Sequence, residues 1–172
     1  MGIRGVGSRK GQFQIGFGMI FSIIVIIAIV AVGIYVTNFF LSVNKCSEIG
    51  FFYEDLEGEV DKAWKSTIYR GDFSLDSLQG IEYFCFGSLQ KTGIDEKSEE
   101  IRQEIDELVY VSNKTNIFLH PLEKACDGDA AYNVLEHVDI EGFFCIETDI
   151  EELKVRLEKE AEDALVKVKK SI

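Results

Sequence analysis

The sequence predicts an α+β protein in which one long N-terminal helix, transmembrane then amphipathic, packs on a small disulfide-stabilised sheet with additional helices. Three observations carry this. No charged side chain occurs from Gly11 to Asn44, while charges are dense afterwards. Apolar residues beyond Ser47 recur at helical spacing. All four cysteines follow the uncharged segment, two of them inside short aromatic runs that read as strands.

The helix comes first. Phe17 to Val36 is a run of 20 residues interrupted only by Ser22, and about 20 helical residues span the roughly 30 Å apolar layer of a bilayer with every backbone group satisfied internally. Arg4, Arg9 and Lys10 precede the run, whereas Glu48, Glu54 and Asp55 follow it. That asymmetry predicts a cytoplasmic N-terminus and an extracytoplasmic C-terminal domain. Segment 1–11 carries +3, so the remainder carries −15 of the net −12. The expected division is a basic cytoplasmic leader over 1–11, a transmembrane helix over 12–45 and an acidic domain over 46–172. Ala31-Val32-Gly33 loosely imitates a secretory cleavage site, but the apolar run continues through Val36, which favours an anchor in a cell membrane.

Past the span, Ile49, Phe52, Leu56, Val60 and Ala63 recur at intervals of three and four among acids, predicting an amphipathic helix over 47–66. Arg70-Gly71-Asp72 reads as a turn, and Ile81 to Phe86 as a strand bounded by glycines. Ile94, Ile101, Ile105 and Leu108 predict a second amphipathic helix over 95–110. Asn113-Lys114-Thr115 is the one N-x-S/T site, which makes Asn113 a candidate glycan acceptor. Asn116 to Leu119 reads as a short strand stopped by Pro121, and 126–132 as a loop whose Asp127-Gly128-Asp129 lacks the rest of a calcium-binding loop. Gly142 to Ile146 repeats the first aromatic strand around Cys145.

The C-terminus carries two patterns. Leu153, Leu157, Ala161, Ala164, Leu165 and Val168 form a helical stripe, with Thr148 and Glu151 as a capping box. Leu153, Val155 and Leu157, then Val166 and Val168, also alternate at period two around a polar connection over 160–163, as in a hairpin. The helix is the favoured expectation.

Cys46, Cys85, Cys126 and Cys145, at spacings of 39, 41 and 19, contain no C-x-x-C, so two structural disulfides are expected rather than a metal centre. Three pairings are open. The two histidines, His120 and His137, have no metal-ligand spacing, and no nucleophile elbow, phosphate loop or dinucleotide fingerprint occurs. No enzyme activity, cofactor or metal is expected, and the acidity argues against a nucleic-acid partner.

Arg9-Lys10-Gly11-Gln12, abutting the apolar helix, resembles the class III, prepilin-type signal peptide of archaeal type IV pilin-like proteins. The resemblance covers about the first third of the chain. It implies a processing site at Lys10, Gly11 and Gln12 for a prepilin peptidase cutting after Gly11. It also implies self-assembly through Phe17 to Val36, where Gly16, Gly18, Ala28, Ala31 and Gly33 permit close helix approach. The sequence departs from many pilins in having Gly16, not glutamate, at the fifth mature position. Two readings follow: a pilin-like structural subunit of a surface filament or secretion-type assembly, or a monomeric, membrane-tethered interaction domain.

Overall fold

In the computed structural model, which describes residues 16–128, 130–148 and 154–171, the first element is α1 (Phe17–Lys65), one helix of 49 residues. The chain divides into two compact units at Phe40/Leu41, inside this helix. Within the second unit, α1 buries Ile49, Phe52, Leu56, Val60 and Ala63, the five positions that periodicity selects. Gly50 and Gly58 lie on its open side, where an added Cβ would meet nothing within 4 Å.

Two four-stranded sheets follow. β1 (Tyr69–Ser74), β7 (Lys154–Lys159), β8 (Val166–Lys170) and β5 (Val138–Ile140) form one, in the order β1-β7-β8-β5, antiparallel except for the β5–β8 pair. β2 (Tyr83–Phe86), β3 (Ile117–His120), β4 (Tyr132–Asn133) and β6 (Phe144–Glu147) form the other, wholly antiparallel in the order β4-β3-β2-β6. The second helix, α2 (Glu96–Leu108), starts where the Asp95 carboxylate accepts the Ser98 N–H at 2.7 Å, an N-cap. It buries Ile101 and Ile105. A single apolar cluster gathers these faces, including Phe84, Phe86, Phe118 and Phe143, each fully buried.

The two aromatic strands pair directly. Cys85 faces Cys145 across β2–β6 and the two form a disulfide. The other bond joins Cys46 of α1 to Cys126 in a short 3-10 turn, so no described cysteine is free. Crosslinks of this kind are typically worth about 2–4 kcal/mol.

Two expectations are corrected. Arg70-Gly71-Asp72 is not a turn but lies inside β1, where the alternation of exposed Arg70 and Asp72 with inward Gly71 and Phe73 satisfies a half-buried strand. Asp72 stands opposite Arg156 in register and pairs with it at 2.9 Å, and Arg70 pairs with Glu160 at 3.0 Å. The C-terminus is not helical over its described residues. It forms the β7–β8 hairpin, which buries Val155, Leu157, Val166 and Val168 and leaves Ala161, Ala164 and Leu165 exposed. Glu151 and Leu153 lie outside the described residues, and the Thr148 hydroxyl donates to the Ile81 carbonyl at 2.8 Å.

Candidate anchoring and assembly site

The functional candidate with the clearest physical signature is the first half of α1. Its most apolar window has a mean hydropathy of 3.0 and none of it is buried by the protein. The helix is therefore long and apolar enough to cross a membrane. Two of its hydroxyls are satisfied by the helix itself: Ser22 Oγ donates to the Gly18 carbonyl and Thr37 Oγ1 to the Gly33 carbonyl, each at 2.9 Å. Such back-bonding removes the main cost of placing a hydroxyl in hydrocarbon. Around Gly16, Gly18 and Gly33 an added Cβ would find open space, so these positions leave the helix surface accessible to another helix.

In the second unit the remainder of α1 is fixed at several points. The Phe52 and Phe84 rings lie 4.9 Å apart. Tyr53 donates its hydroxyl to the Ala130 carbonyl at 2.9 Å, and burial pushes its pKa well up. Near the helix end the Trp64 and His137 rings stack at 3.8 Å and 7°. Lys159 Nζ donates to the carbonyls of Trp64 and, at 2.8 Å, Ser66, a cation at the helix C-terminus where the dipole favours it. The Tyr69 hydroxyl donates to Glu59, and partial burial together with that carboxylate raises its pKa to about 12. The Cys46–Cys126 bond sits three residues before Ile49, the first buried position of the stripe.

The structure treats the other sequence candidates unequally. Lys10, Gly11 and Gln12 lie outside the described residues, as does Asp129. Asn113 is exposed in the loop after α2, whereas Thr115, the other essential residue of its motif, is buried. His120 Nε2 lies 3.8 Å from Glu104, and its buried Nδ1 has no hydrogen-bond partner among the described residues. Among those residues no group of three or more His, Cys, Asp or Glu side chains could hold a metal ion.

Sequence reasoning missed the Trp64–His137 stack and the Lys159 cap. Trp64 follows Ala63 at the end of the buried stripe, but nothing local indicates that residue 137 meets it. A further missed cluster centres on Glu99. Its carboxylate receives Arg102 at 2.6 Å, the Gly93 N–H at 2.6 Å and Gln103 at 2.8 Å. These donors, Arg102 foremost, depress its pKa to about 2. Arg102 also donates to the Leu89 carbonyl at 2.7 Å, so the cluster ties α2 to the loop before it.

Comparison with protein-family models, curated proteins and solved structures gave no match to this chain.

Proposed function

We propose that this chain is a membrane-anchored, extracytoplasmic structural subunit, a pilin-like component of a surface filament or secretion-type assembly. The observation that supports it is the division of α1: a first half uncharged, largely apolar and unburied, and a second half whose apolar stripe packs into a disulfide-bonded domain. A soluble protein gains nothing by displaying such a surface to water, at a cost of roughly 25 cal/mol per Å².

In this reading the N-terminus is cytoplasmic, a prepilin peptidase cuts between Gly11 and Gln12, and the apolar half rests in the cell membrane until subunits pack through it. The role is structural rather than catalytic, with all four thiols consumed in crosslinks. Two disulfides suit an oxidising, extracytoplasmic compartment.

Gly16, in the place where many pilins carry glutamate, favours the other reading, a monomeric tethered domain. Mass spectrometry of the native membrane fraction separates the two. A mature chain beginning at Gln12 supports the assembly reading, and a chain retaining Arg4 to Lys10 overturns it.

A further inference from the structure

The part of α1 that packs in the second unit has an outer face that is acidic toward its start and mixed toward its end, where Lys62 and Lys65 pair with Glu59 and Asp61. Phe51, Glu54, Asp55 and Glu57 are exposed toward its start, Lys62 and Lys65 toward its end. At the start, Phe51, Phe52, Phe73 and Leu78 line an open cleft of about 380 Å³ together with the carboxylates of Glu48, Asp55 and Asp76. Phe51 is 64% exposed there. At the other end Ile68, 66% exposed, stands between exposed Lys65 and Arg70. Fourteen helical steps, about 21 Å at 1.5 Å each, separate Phe51 from Lys65.

We propose that the Phe51 cleft of one copy receives Ile68, flanked by Lys65 and Arg70, of a second copy of this chain. The contact rests on the assembly reading above and gives it a specific extracytoplasmic interface. Its chemistry is complementary: an exposed aliphatic side chain enters an aromatic-lined cleft, and two cations meet a lining that carries three carboxylates. Among the described residues Asp55 and Asp76 have no ion-pair partner within their own copy. Lys65 and Arg70 pair with Asp61 at 2.9 Å and Glu160 at 3.0 Å, but exposed pairs of this kind hold their partners weakly. Both cations can therefore turn to a neighbour.

The two patches are different surfaces of one molecule, so a single cleft–knob pair between two copies is a heterologous contact. Each copy whose cleft is filled still presents its own Ile68 knob, and each copy whose knob is engaged retains an open cleft. Such an interface extends into a chain of subunits unless the rotation happens to close a ring. A two-fold dimer would form only if both reciprocal cleft–knob pairs engaged at once, which would occupy both patches of each copy and stop growth.

The test uses the full chain reconstituted in phospholipid vesicles, with p-benzoylphenylalanine at Phe51 and, in a separate preparation, at Phe21 in the apolar half. Photolysis followed by peptide mass spectrometry should join residue 51 of one copy to the segment 65–70 of another. Reversing two of the lining carboxylates with Asp55→Lys and Asp76→Lys should lower that yield about tenfold, which corresponds to about 1.4 kcal/mol. Lys65→Glu with Arg70→Glu should do the same, and all four together should restore it. Crosslinks from residue 51 to another segment, or a yield indifferent to either reversal, overturn the contact. Intermolecular crosslinks from residue 21 without any from residue 51 overturn the contact and leave the assembly reading standing. No intermolecular product from either position overturns both.

Discussion

Phe51 and Phe52 are adjacent and chemically identical, yet the structure assigns them opposite energetic roles. One residue step turns a helix by about 100°, which leaves Phe51 64% exposed and Phe52 7% exposed against Phe84. Truncating a buried phenylalanine to alanine typically costs about 3–5 kcal/mol. Phe52 borders the open cleft beside Phe73, where solvent can enter part of the space left, so the lower end, about 3 kcal/mol, applies. Phe51→Ala should stay within about 0.5 kcal/mol, as surface changes do. The assay is urea unfolding of the full chain in detergent micelles with both disulfides intact, followed by the fluorescence of Trp64, the only tryptophan. With a slope of about 1.5 kcal/mol per molar urea, Phe52→Ala should lower the midpoint by about 2 M, and Phe51→Ala by less than about 0.4 M. Because the crosslinks are the same in every variant, their contribution cancels. Equal midpoints for the two variants, or a Phe52→Ala cost under about 1 kcal/mol, would refute the helix register on which the buried stripe and the exposed cleft both depend.

Four further outcomes follow from other parts of the fold. Glu99 has its folded pKa depressed to about 2 from an ordinary value of 4.5, first by Arg102 and then by the Gly93 N–H and Gln103; its contribution is present above the ordinary value and is lost as pH falls from about 4.5 toward 2. Stability measured across that window should therefore fall less steeply in Glu99→Gln than in the parent, and parallel curves would contradict the assignment. Gly58→Ala, with nothing within 4 Å of the added Cβ, should raise the urea midpoint by about 0.5–1 kcal/mol equivalent. Gly87→Ala should instead lower stability by at least about 1 kcal/mol, since φ is +123° and the new Cβ would lie 2.3 Å from the Gly142 carbonyl oxygen. His137→Ala removes the ring stacked on Trp64 and should shift Trp64 emission to the red while lowering stability by about 0.5–1.5 kcal/mol; unchanged emission would place Trp64 elsewhere.

Elements whose signal is contained in a few neighbouring residues were legible from sequence. The α1 stripe is one: Ile49, Phe52, Leu56, Val60 and Ala63 share a face because 3.6 residues make a turn, whatever they pack against. The strands around Cys85 and Cys145 are another, since aromatic runs between glycines favour a pleated, buried surface. That the two are neighbours joined by a disulfide depends on chain topology, and sequence leaves three pairings open. In the candidate site, the uncharged run and its polar flanks were readable, whereas the Trp64–His137 contact joins residues 73 positions apart and has no local trace.

The two corrected elements share a physical cause, and it bears on how the domain is built. Arg70-Gly71-Asp72 has turn chemistry when read alone, but Arg156, 84 residues further on, sits opposite Asp72 and completes a charge pair across the strands. The C-terminal stretch satisfies helical and strand periodicity together, and the choice falls to its partners. As a helix it would direct Ala161, Ala164 and Leu165 toward a core; as a hairpin it places Val155, Leu157, Val166 and Val168 there, all at most 1% exposed, with β1 and β5 supplying the outer ladders. Branched side chains pack better on the pleated face, and burying them there outweighs the weak helical preference of the intervening charged residues. β1 and the C-terminal hairpin thus determine one another: β1 gains its ladder only if the C-terminus is extended, and β7 has a partner on its second side only if residues 69–74 are a strand. Because β1 begins four residues after α1 ends, that mutual dependence closes the sheet immediately beside the helix terminus, where Lys159 of β7 reaches the carbonyls of Trp64 and Ser66. The end of the chain is in this way fastened to the end of the long helix, which makes the hairpin part of the machinery that holds α1 in the domain rather than an appendage to it.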